Sequence, residues 1–111
     1  IVRSMLHRMG YRFRLHRKDL PGKPDIVLPK YKTVIFVHGC FWHRHEGCKG
    51  CTTPKSNESF WLQKFERTVK RDVLNYRRLQ DLGWNVLIIW ECEVKDAERL
   101  CVNLRNNIGK K

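Results

Sequence analysis

Six side chains that can bind a metal or move a proton crowd one short stretch of this sequence. They follow an apolar run at residues 34–37 and are His38, Cys40, His43, His45, Cys48 and Cys51. Imidazoles and thiols do not build a hydrophobic core, because each polar group needs a partner when it is buried. A loop so rich in ligands is difficult to keep ordered without an ion, so the stretch predicts a metal site.

Zinc is the ion that this ligand set favours. Structural zinc sites are usually tetrahedral, with four cysteine or histidine ligands, and one loop can supply two or three of them. The spacing of Cys40, His45 and Cys48 allows one loop to wrap the ion. The fourth ligand is left open, because Cys51 forms a C-x-x-C pair with Cys48 whereas Cys92 ends a strand expected to lie beside the loop. Unligated thiols are the alternative.

One carboxylate and two of the histidines form a second group. Asp25 precedes an apolar run at residues 26–28, and His38 ends the next apolar run. Neighbouring strands can bring such side chains within a few ångströms, where a carboxylate can bind Mg²⁺ and a histidine can exchange a proton. We therefore expect Asp25, His38 and His43 to form a hydrolytic site. The alternative is that Asp25 is a turn residue after Pro24 and that the histidines are further zinc ligands.

Large aromatic side chains accompany these groups. Phe41 and Trp42 lie inside the ligand-rich loop, and Phe60 and Trp61 lie near the start of a predicted long helix. Aromatic faces stack on any base, and apolar side chains wedged between base steps unstack and bend a duplex. We expect Phe41 and Trp42 to be exposed, and Phe60 to belong to the core beneath the helix.

Charge and length limit the possible functions. The 111 residues predict one domain over 1–111, and 23 Lys and Arg against 11 Asp and Glu give a formal charge of +12. Such an excess favours a polyanionic partner, with nucleic acid ahead of a membrane surface. No membrane-spanning run or signal-peptide pattern is visible, so we expect a cytoplasmic protein.

The apolar periodicity predicts the elements that must position these side chains. The predicted elements, in chain order, are helix 1–9, strands 11–15, 26–28 and 34–37, helix 58–82, strand 86–90 and helix 96–107. The second and third strands should form a hairpin, and the last strand, apolar on both faces, should be central and covered on two sides. The fold class is therefore α/β, a mixed sheet flanked by helices with polar groups at strand ends.

Several long motifs place the chain near a known family. They read P-G-K-P-D, V-I-F-V-H-G-C-F-W-H-R-H, F-W-L-Q-K-F, R-D-V-L-N-Y-R-R-L-Q-D-L-G-W and V-L-I-I-W-E-C-E. From about Gly10 to Glu93 the sequence closely resembles the very-short-patch-repair (Vsr) DNA mismatch endonucleases. The resemblance implies a restriction-endonuclease-like fold and an enzyme that nicks one strand of duplex DNA beside a T:G mismatch.

The resemblance also implies roles for individual residues. Asp25 would bind Mg²⁺ together with the main-chain carbonyl of Val37, and His38 and His43 would be catalytic. The aromatics that intercalate beside the mismatch would be Phe41, Trp42 and Trp61. The zinc ligands would be Cys40, His45, Cys48 and Cys92, which favours Cys92 over Cys51.

Other functions remain open at this point. The family has a catalytic glutamate whose position falls just upstream of Ile1, which implies that the printed chain lacks an N-terminal segment. A zinc-containing DNA-binding relative with impaired catalysis is therefore the main alternative. A homing or restriction nuclease that cuts both strands is less favoured, because one small domain offers one site and no obvious dimer surface. We expect a monomer, with mismatch-repair proteins as candidate protein partners.

Overall fold

The computed structural model describes residues 2–15, 17–45, 47–49 and 51–108. Its helices are α1 (Val2–Arg8), α2 (Glu58–Asp81) and α3 (Ala97–Ile108). Its strands are β1 (Arg14–Leu15), β2 (Ile26–Leu28), β3 (Thr33–His38) and β4 (Asn85–Trp90). The predicted order of elements is confirmed, although the first strand is only two residues long.

The four strands form one mixed sheet in the order β1-β2-β3-β4. β2 and β3 pair antiparallel with Val27 opposite Val34, joined by a short 3-10 helix at Pro29–Tyr31, so the predicted hairpin is confirmed. β4 pairs parallel with β3, with His38 opposite Trp90. The start of β2 and the ends of β3 and β4 therefore lie at the same end of the sheet.

One face of the sheet packs against α1 and α3. The buried side chains of this layer are Val2, Met5, Leu6, Tyr11, Ile26, Leu28, Ile35, Leu87, Ile89, Leu100, Leu104 and Ile108. Alternate residues of each strand point to this face, because side chains alternate across a strand. This layer stabilises the sheet from one face and does not cover the ends of its strands.

The opposite face carries α2. Its smaller core consists of Leu20, Val27, Val34, Phe36, Leu79 and Trp84. β2 and β3 are buried on both faces, which explains their continuous apolar sequence. The prediction that the last strand is central is wrong, since β4 lies at the edge of the sheet that the described residues form. Its α2-facing residues Val86 and Ile88 are only half-buried, so an apolar pattern on both faces did not mean burial on both faces.

α2 contacts the sheet mainly through its C-terminal part. Of its 24 residues, Phe65 and Leu79 are buried, whereas Val69 and Val73 in the predicted apolar stripe are exposed. The helix is about 36 Å long at 1.5 Å per residue, which is longer than the sheet that supports it. The polar side chains of its middle turns therefore overhang the end of the sheet where β3 finishes. Within the described part of the chain, every helix is too short or too polar to span a membrane.

Candidate active site

The carboxylate of Asp25 is fixed at the junction of β2 and β3. Pro24 is buried and Asp25 is exposed, immediately before β2 begins. The backbone N–H of Val37 donates a hydrogen bond of 2.7 Å to Oδ2 of Asp25. This bond extends the β2–β3 pairing by one residue, with a side-chain oxygen in place of a backbone carbonyl. It holds the Asp25 carboxylate beside the end of β3.

Asp25, His38 and His43 line one cleft of about 430 Å³ at this end of the sheet. The other lining residues are Gly22, Lys23, Phe36, Val37, Arg71, Asp72, Asn75 and Tyr76. The structure therefore brings together the acid and the two histidines that the sequence singled out.

The two imidazoles stack on each other inside the cleft. Their ring centroids are 3.7 Å apart and the ring planes are inclined by 13°. Nδ1 of His43 lies 2.5 Å from Oδ2 of Asp72, so this carboxylate is positioned to accept the Nδ1 hydrogen. An acid that holds one nitrogen of a histidine fixes its tautomer and leaves the other nitrogen for proton transfer.

His38 is held in a different way, by a hydroxyl. Its Nε2 is hydrogen-bonded to the hydroxyl of Tyr76. Burial, and then the charge of His43, lower the pKa of His38 to about 4, and the charges of Asp72 and Asp25 only partly oppose this. Burial and the charge of Asp72 raise the pKa of Tyr76. Near neutral pH both groups are therefore uncharged, and the hydroxyl of Tyr76 can donate its hydrogen to Nε2.

Asp72 and Tyr76 are site residues that the sequence reasoning missed. They lie one turn apart on α2, at positions i and i+4, so they project from the same face of the helix. The sequence did contain an indication of Asp72, because this carboxylate lies at helical spacing from Val69 and Tyr76, on the predicted apolar side of the helix. Only the packing of α2 over the end of β3 reveals which histidine each residue contacts.

Four potential zinc ligands meet beside this cleft. The ligand atoms of Cys40, His45, Cys48 and Cys92 all lie within 4.8 Å of one another. Nδ1 of His45 is 3.7 Å from Sγ of Cys40 and 3.4 Å from Sγ of Cys92. In a tetrahedral zinc site, sulfur and nitrogen ligands are about 3.6 Å apart, given the usual bond lengths. Three thiols and one imidazole with these separations fit zinc.

The neighbouring thiols also affect the protonation of Cys92. Burial, and then the neighbouring Cys40 and Cys48 thiols, raise the pKa of Cys92 to about 11. Three thiolates would repel one another at these distances, whereas a divalent cation between them would stabilise the deprotonated form. Cys51 is placed elsewhere, lining another cleft with His43 and Val73.

A second set of ligand atoms, from His38, His43 and Asp72, also lies within 4.8 Å. These groups are already engaged in the structure, because His43 is bonded to Asp72 and His38 to Tyr76. Asp25 offers carboxylate oxygens of the kind that a hard cation prefers. The histidines are thus engaged in hydrogen bonds, and the carboxylate of Asp25 could bind a hard cation.

Aromatic rings form a patch beside the cleft, in which Phe41, Trp42 and Trp61 contact one another. Their ring centroids lie 5.1 to 5.9 Å apart. Trp42 is 46% exposed, whereas Phe41 and Trp61 are half-buried. The expectation for Phe60 is wrong: it is 58% exposed, because the first turns of α2 extend beyond the core. The expectation of exposure is confirmed for Trp42 and wrong for Phe41, whose ring packs against Phe65.

Arg44 joins the aromatic patch to the rest of the loop. Its guanidinium donates hydrogen bonds to the carbonyl oxygens of Phe41 and Thr52 and to the hydroxyl of Thr53. The same group lies 3.9 Å from the centre of the Phe65 ring. One side chain thus ties both ends of the loop to α2 and supports the exposed rings.

Basic side chains continue the cleft away from the aromatic patch. An adjoining cleft of about 450 Å³ shares Lys23, Asp25 and Val37 with the first one. It is also lined by Arg3, Arg17 and Lys18. Of these cations only Arg17 forms an ion pair among the described residues, with Asp19. A positively charged border around an acid-and-imidazole cleft suits a phosphodiester substrate.

Comparisons with known proteins identify the class as DNA endonucleases. The family model of DNA mismatch endonuclease Vsr matches residues 1–49. Type II nicking enzyme V.XorIIP of Xanthomonas oryzae pv. oryzae is 52% identical over 105 residues, which cover 95% of this chain and 76% of the relative. Type II nicking enzyme V.NmeAIP of Neisseria meningitidis serogroup A is 49% identical, over 86% of this chain and 68% of the relative.

A third relative is DNA mismatch endonuclease Vsr of Escherichia coli strain K12. It is 46% identical over 97 residues, which cover 87% of this chain and 62% of the relative. The chain therefore belongs to the Vsr DNA mismatch endonuclease family. The resemblance inferred from the motifs is confirmed, and so is the mixed α/β fold with a cysteine- and histidine-rich loop that could hold a metal.

Proposed function

We propose that residues 1–111 form a single endonuclease domain that nicks one strand of duplex DNA beside a T:G mismatch. The reaction would depend on Mg²⁺, and zinc would be structural. One observation carries the proposal: Asp25, His38 and His43 line a common cleft between a basic border and a partly exposed aromatic patch. This arrangement offers a cation ligand, proton-transfer groups and a DNA-distorting surface within one site.

Asp25 and the carbonyl of Val37 would hold Mg²⁺, since both offer oxygen ligands and the Val37 N–H holds the Asp25 carboxylate beside this residue. The ion would supply positive charge that stabilises the transition state of phosphodiester cleavage. The hydrogen bond from the Val37 N–H keeps the Asp25 carboxylate in place before substrate arrives, so little reorganisation is needed when DNA binds.

His43 would exchange a proton during cleavage. Asp72 holds its Nδ1 and would stabilise the imidazolium once His43 has taken a proton at Nε2. His38, uncharged near neutral pH, would donate a hydrogen bond to a phosphate oxygen rather than carry a charge. The two stacked rings thus differ in role because their partners differ, a carboxylate for one and a hydroxyl for the other.

Phe41, Trp42 and Trp61 would contact the bases at the mismatch. Aromatic side chains that wedge between base steps unstack them, and a mispaired step is easier to open than a matched one. Lys64 lies 5.2 Å from the centre of the Trp42 ring and adds positive charge beside the patch. The patch therefore combines stacking surface with attraction for the DNA backbone.

Replacing Asp25 with Ala should abolish nicking, because the cation loses its side-chain ligand. The matched control is Asp81→Ala, which removes an exposed carboxylate at the end of α2. We would incubate both variants and the unmodified protein with end-labelled T:G and T:A duplexes, with Mg²⁺ or with EDTA. Each would be prepared as the printed chain and as a version extended upstream.

The proposal predicts a single nick in the T:G duplex only, only with Mg²⁺, and at least about 10²-fold slower for Asp25→Ala than for Asp81→Ala. Equal nicking by the two variants would reject the site assignment. If both the printed chain and the extended version bind the T:G duplex but neither nicks it, the result would instead favour a zinc-containing DNA-binding protein with impaired catalysis. Cuts in both strands would favour a restriction-type nuclease.

The proposal extends to the setting of the enzyme. A monomer suffices, because all the residues of the proposed site come from one chain. We propose that it acts on nucleoid DNA in the cytoplasm of a bacterium, with mismatch-repair proteins as partners.

A further inference from the structure

We propose that Tyr76 is a positioning residue for strand nicking, which holds His38 in the tautomer that carries its hydrogen on Nδ1. In this arrangement the Tyr76 hydroxyl donates to Nε2, and Nδ1–H is the group presented to a phosphate oxygen of the DNA. The inference rests on the proposed function, because it assumes that His38 acts in nicking.

The contact between Tyr76 and His38 is specific. The hydroxyl of Tyr76 is hydrogen-bonded to Nε2 of His38, across 38 residues of sequence. The Tyr76 ring is half-buried and packs edge-on against Phe36, with ring centroids 5.4 Å apart. This packing fixes the direction of the Tyr76 C–O bond. The hydroxyl therefore points at the imidazole because the ring is held by its neighbours.

The position of Tyr76 on α2 couples its contact with His38 to the contact between Asp72 and His43. Asp72, one turn earlier, holds Nδ1 of His43, and Tyr76 holds Nε2 of His38. Because the two imidazoles stack with centroids 3.7 Å apart, rotation of one ring would displace the other. One turn of α2 therefore sets the orientation of both histidines with respect to Asp25.

The chemistry of the hydroxyl sets the tautomer. Among the described residues, Nε2 of His38 is the only hydrogen-bond partner of the Tyr76 hydroxyl, so the phenol hydrogen is donated to Nε2. Burial, and then the charge of Asp72, raise the pKa of Tyr76, so the phenol keeps this hydrogen near neutral pH. A phenol that donates to Nε2 leaves the imidazole hydrogen on Nδ1, which is the less common tautomer of a free imidazole. Without the hydroxyl, the ring would be free to carry its hydrogen on Nε2 and to offer Nδ1 only as an acceptor.

The Tyr76→Phe variant isolates this role, because it keeps the ring that packs on Phe36 and removes only the hydroxyl. Tyr31→Phe is the matched control, as Tyr31 is also half-buried but lies at the opposite end of the sheet. Under single-turnover conditions with T:G duplex and Mg²⁺, Tyr76→Phe should nick about tenfold more slowly than Tyr31→Phe. The affinity for the duplex should stay within about twofold, since no DNA contact is removed.

A second measurement reads the tautomer directly and does not require nicking. The ¹⁵N spectrum of His38, taken without DNA, should show the hydrogen on Nδ1 in the unmodified protein and a shift towards Nε2 in Tyr76→Phe. A purely structural role for Tyr76 would leave this spectrum unchanged. The same hydrogen placement in both proteins, or a nicking rate of Tyr76→Phe equal to that of Tyr31→Phe, would overturn the inference.

His38→Ala separates this inference from the proposed function. If His38→Ala nicks as fast as the unmodified protein, the role of His38 in the proposed function fails, whatever the spectrum of Tyr76→Phe shows. If His38→Ala is slow, Tyr76→Phe should cause no further loss when it is combined with His38→Ala. An additional tenfold loss in that double variant would contradict action through His38.

Discussion

At the scale of single residues, His38 and His43 acquire different properties from their neighbours. His43 lies 2.5 Å from a carboxylate 29 residues away, and His38 is bonded to a hydroxyl 38 residues away. His43 is hydrogen-bonded to a carboxylate, whereas the buried His38 beside a phenol stays neutral near pH 7, because burial, and then the charge of His43, lower its pKa to about 4. Two identical side chains five residues apart therefore have different hydrogen-bond partners and different surroundings.

The metal ligands can be tested at the same scale. Cys92→Ser should lower the zinc content of the purified protein to near zero and reduce its thermal stability, because Cys92 is one of the four ligand atoms within 4.8 Å. Metal analysis by mass spectrometry and thermal unfolding would measure both effects.

Cys51→Ser is the matched control, since it makes the same chemical change in the same loop. Its zinc content should equal that of the unmodified protein, because Cys51 lines a different cleft. Loss of zinc from Cys51→Ser with full retention by Cys92→Ser would show that the C-x-x-C pair, rather than the end of β4, completes the metal site.

At the scale of elements, α2 is the part of the fold that connects core and chemistry. Its C-terminal part is anchored by Leu79, which is fully buried against the α2-facing side of the sheet. Its middle carries Asp72 and Tyr76 over the end of β3, and its first turns carry Trp61 in the aromatic patch. Displacement of this one helix would move Asp72 and Tyr76 and thereby break the contacts that hold His43 and His38.

The anchoring of α2 leads to a stability prediction. Leu79→Ala should lower the free energy of unfolding by about 2 to 5 kcal/mol, because it removes a buried side chain and leaves a cavity. Leu82→Ala makes the same change three residues later, where the leucine is 58% exposed, and should cost less than about 0.5 kcal/mol. Urea unfolding followed by circular dichroism would measure both values, and equal losses would contradict the packing described for α2.

Local pattern was sufficient to predict most of these elements. The continuous apolar runs of β2 and β3 and the three-to-four-residue repeat of α2 gave their positions to within a few residues. The edge position of β4 could not be predicted, because its residues are apolar on both faces. Leu87 and Ile89 are buried on one face, whereas Val86 and Ile88 on the other face are only half-buried. Apolar composition alone does not distinguish these environments.

The candidate site was predictable only in part, for a similar reason. Asp25 and His38 are placed by strand ends, which the sequence indicates directly. Asp72 and Tyr76 belong to the site because of the angle at which α2 crosses β3, and that angle depends on packing distributed over the whole layer. The exposure of Phe60 likewise follows from where the core beneath α2 ends.

At the scale of the whole molecule, the cleft with the two histidines, the cluster of possible zinc ligands and the aromatic patch lie at the same end of the sheet. Trp90 links two of them, since its ring stacks on His45 with centroids 4.3 Å apart and lies 5.6 Å from His38. Zinc would thus stabilise the segment that positions His38 and His43 as well as the loop itself. The formal charge of +12 gives the molecule a long-range attraction for DNA that falls as salt increases.

The central claim is that Asp25 and His43 act together in one cleft. The most direct measurement is a double-mutant cycle of Asp25→Ala and His43→Ala, with single-turnover nicking of a T:G duplex and zinc content verified for each variant. Each change alone should slow nicking by at least about 10²-fold, and the double variant should be no slower than the slower single variant. Losses that multiply, or a His43→Ala variant that nicks at the unmodified rate, would contradict the account.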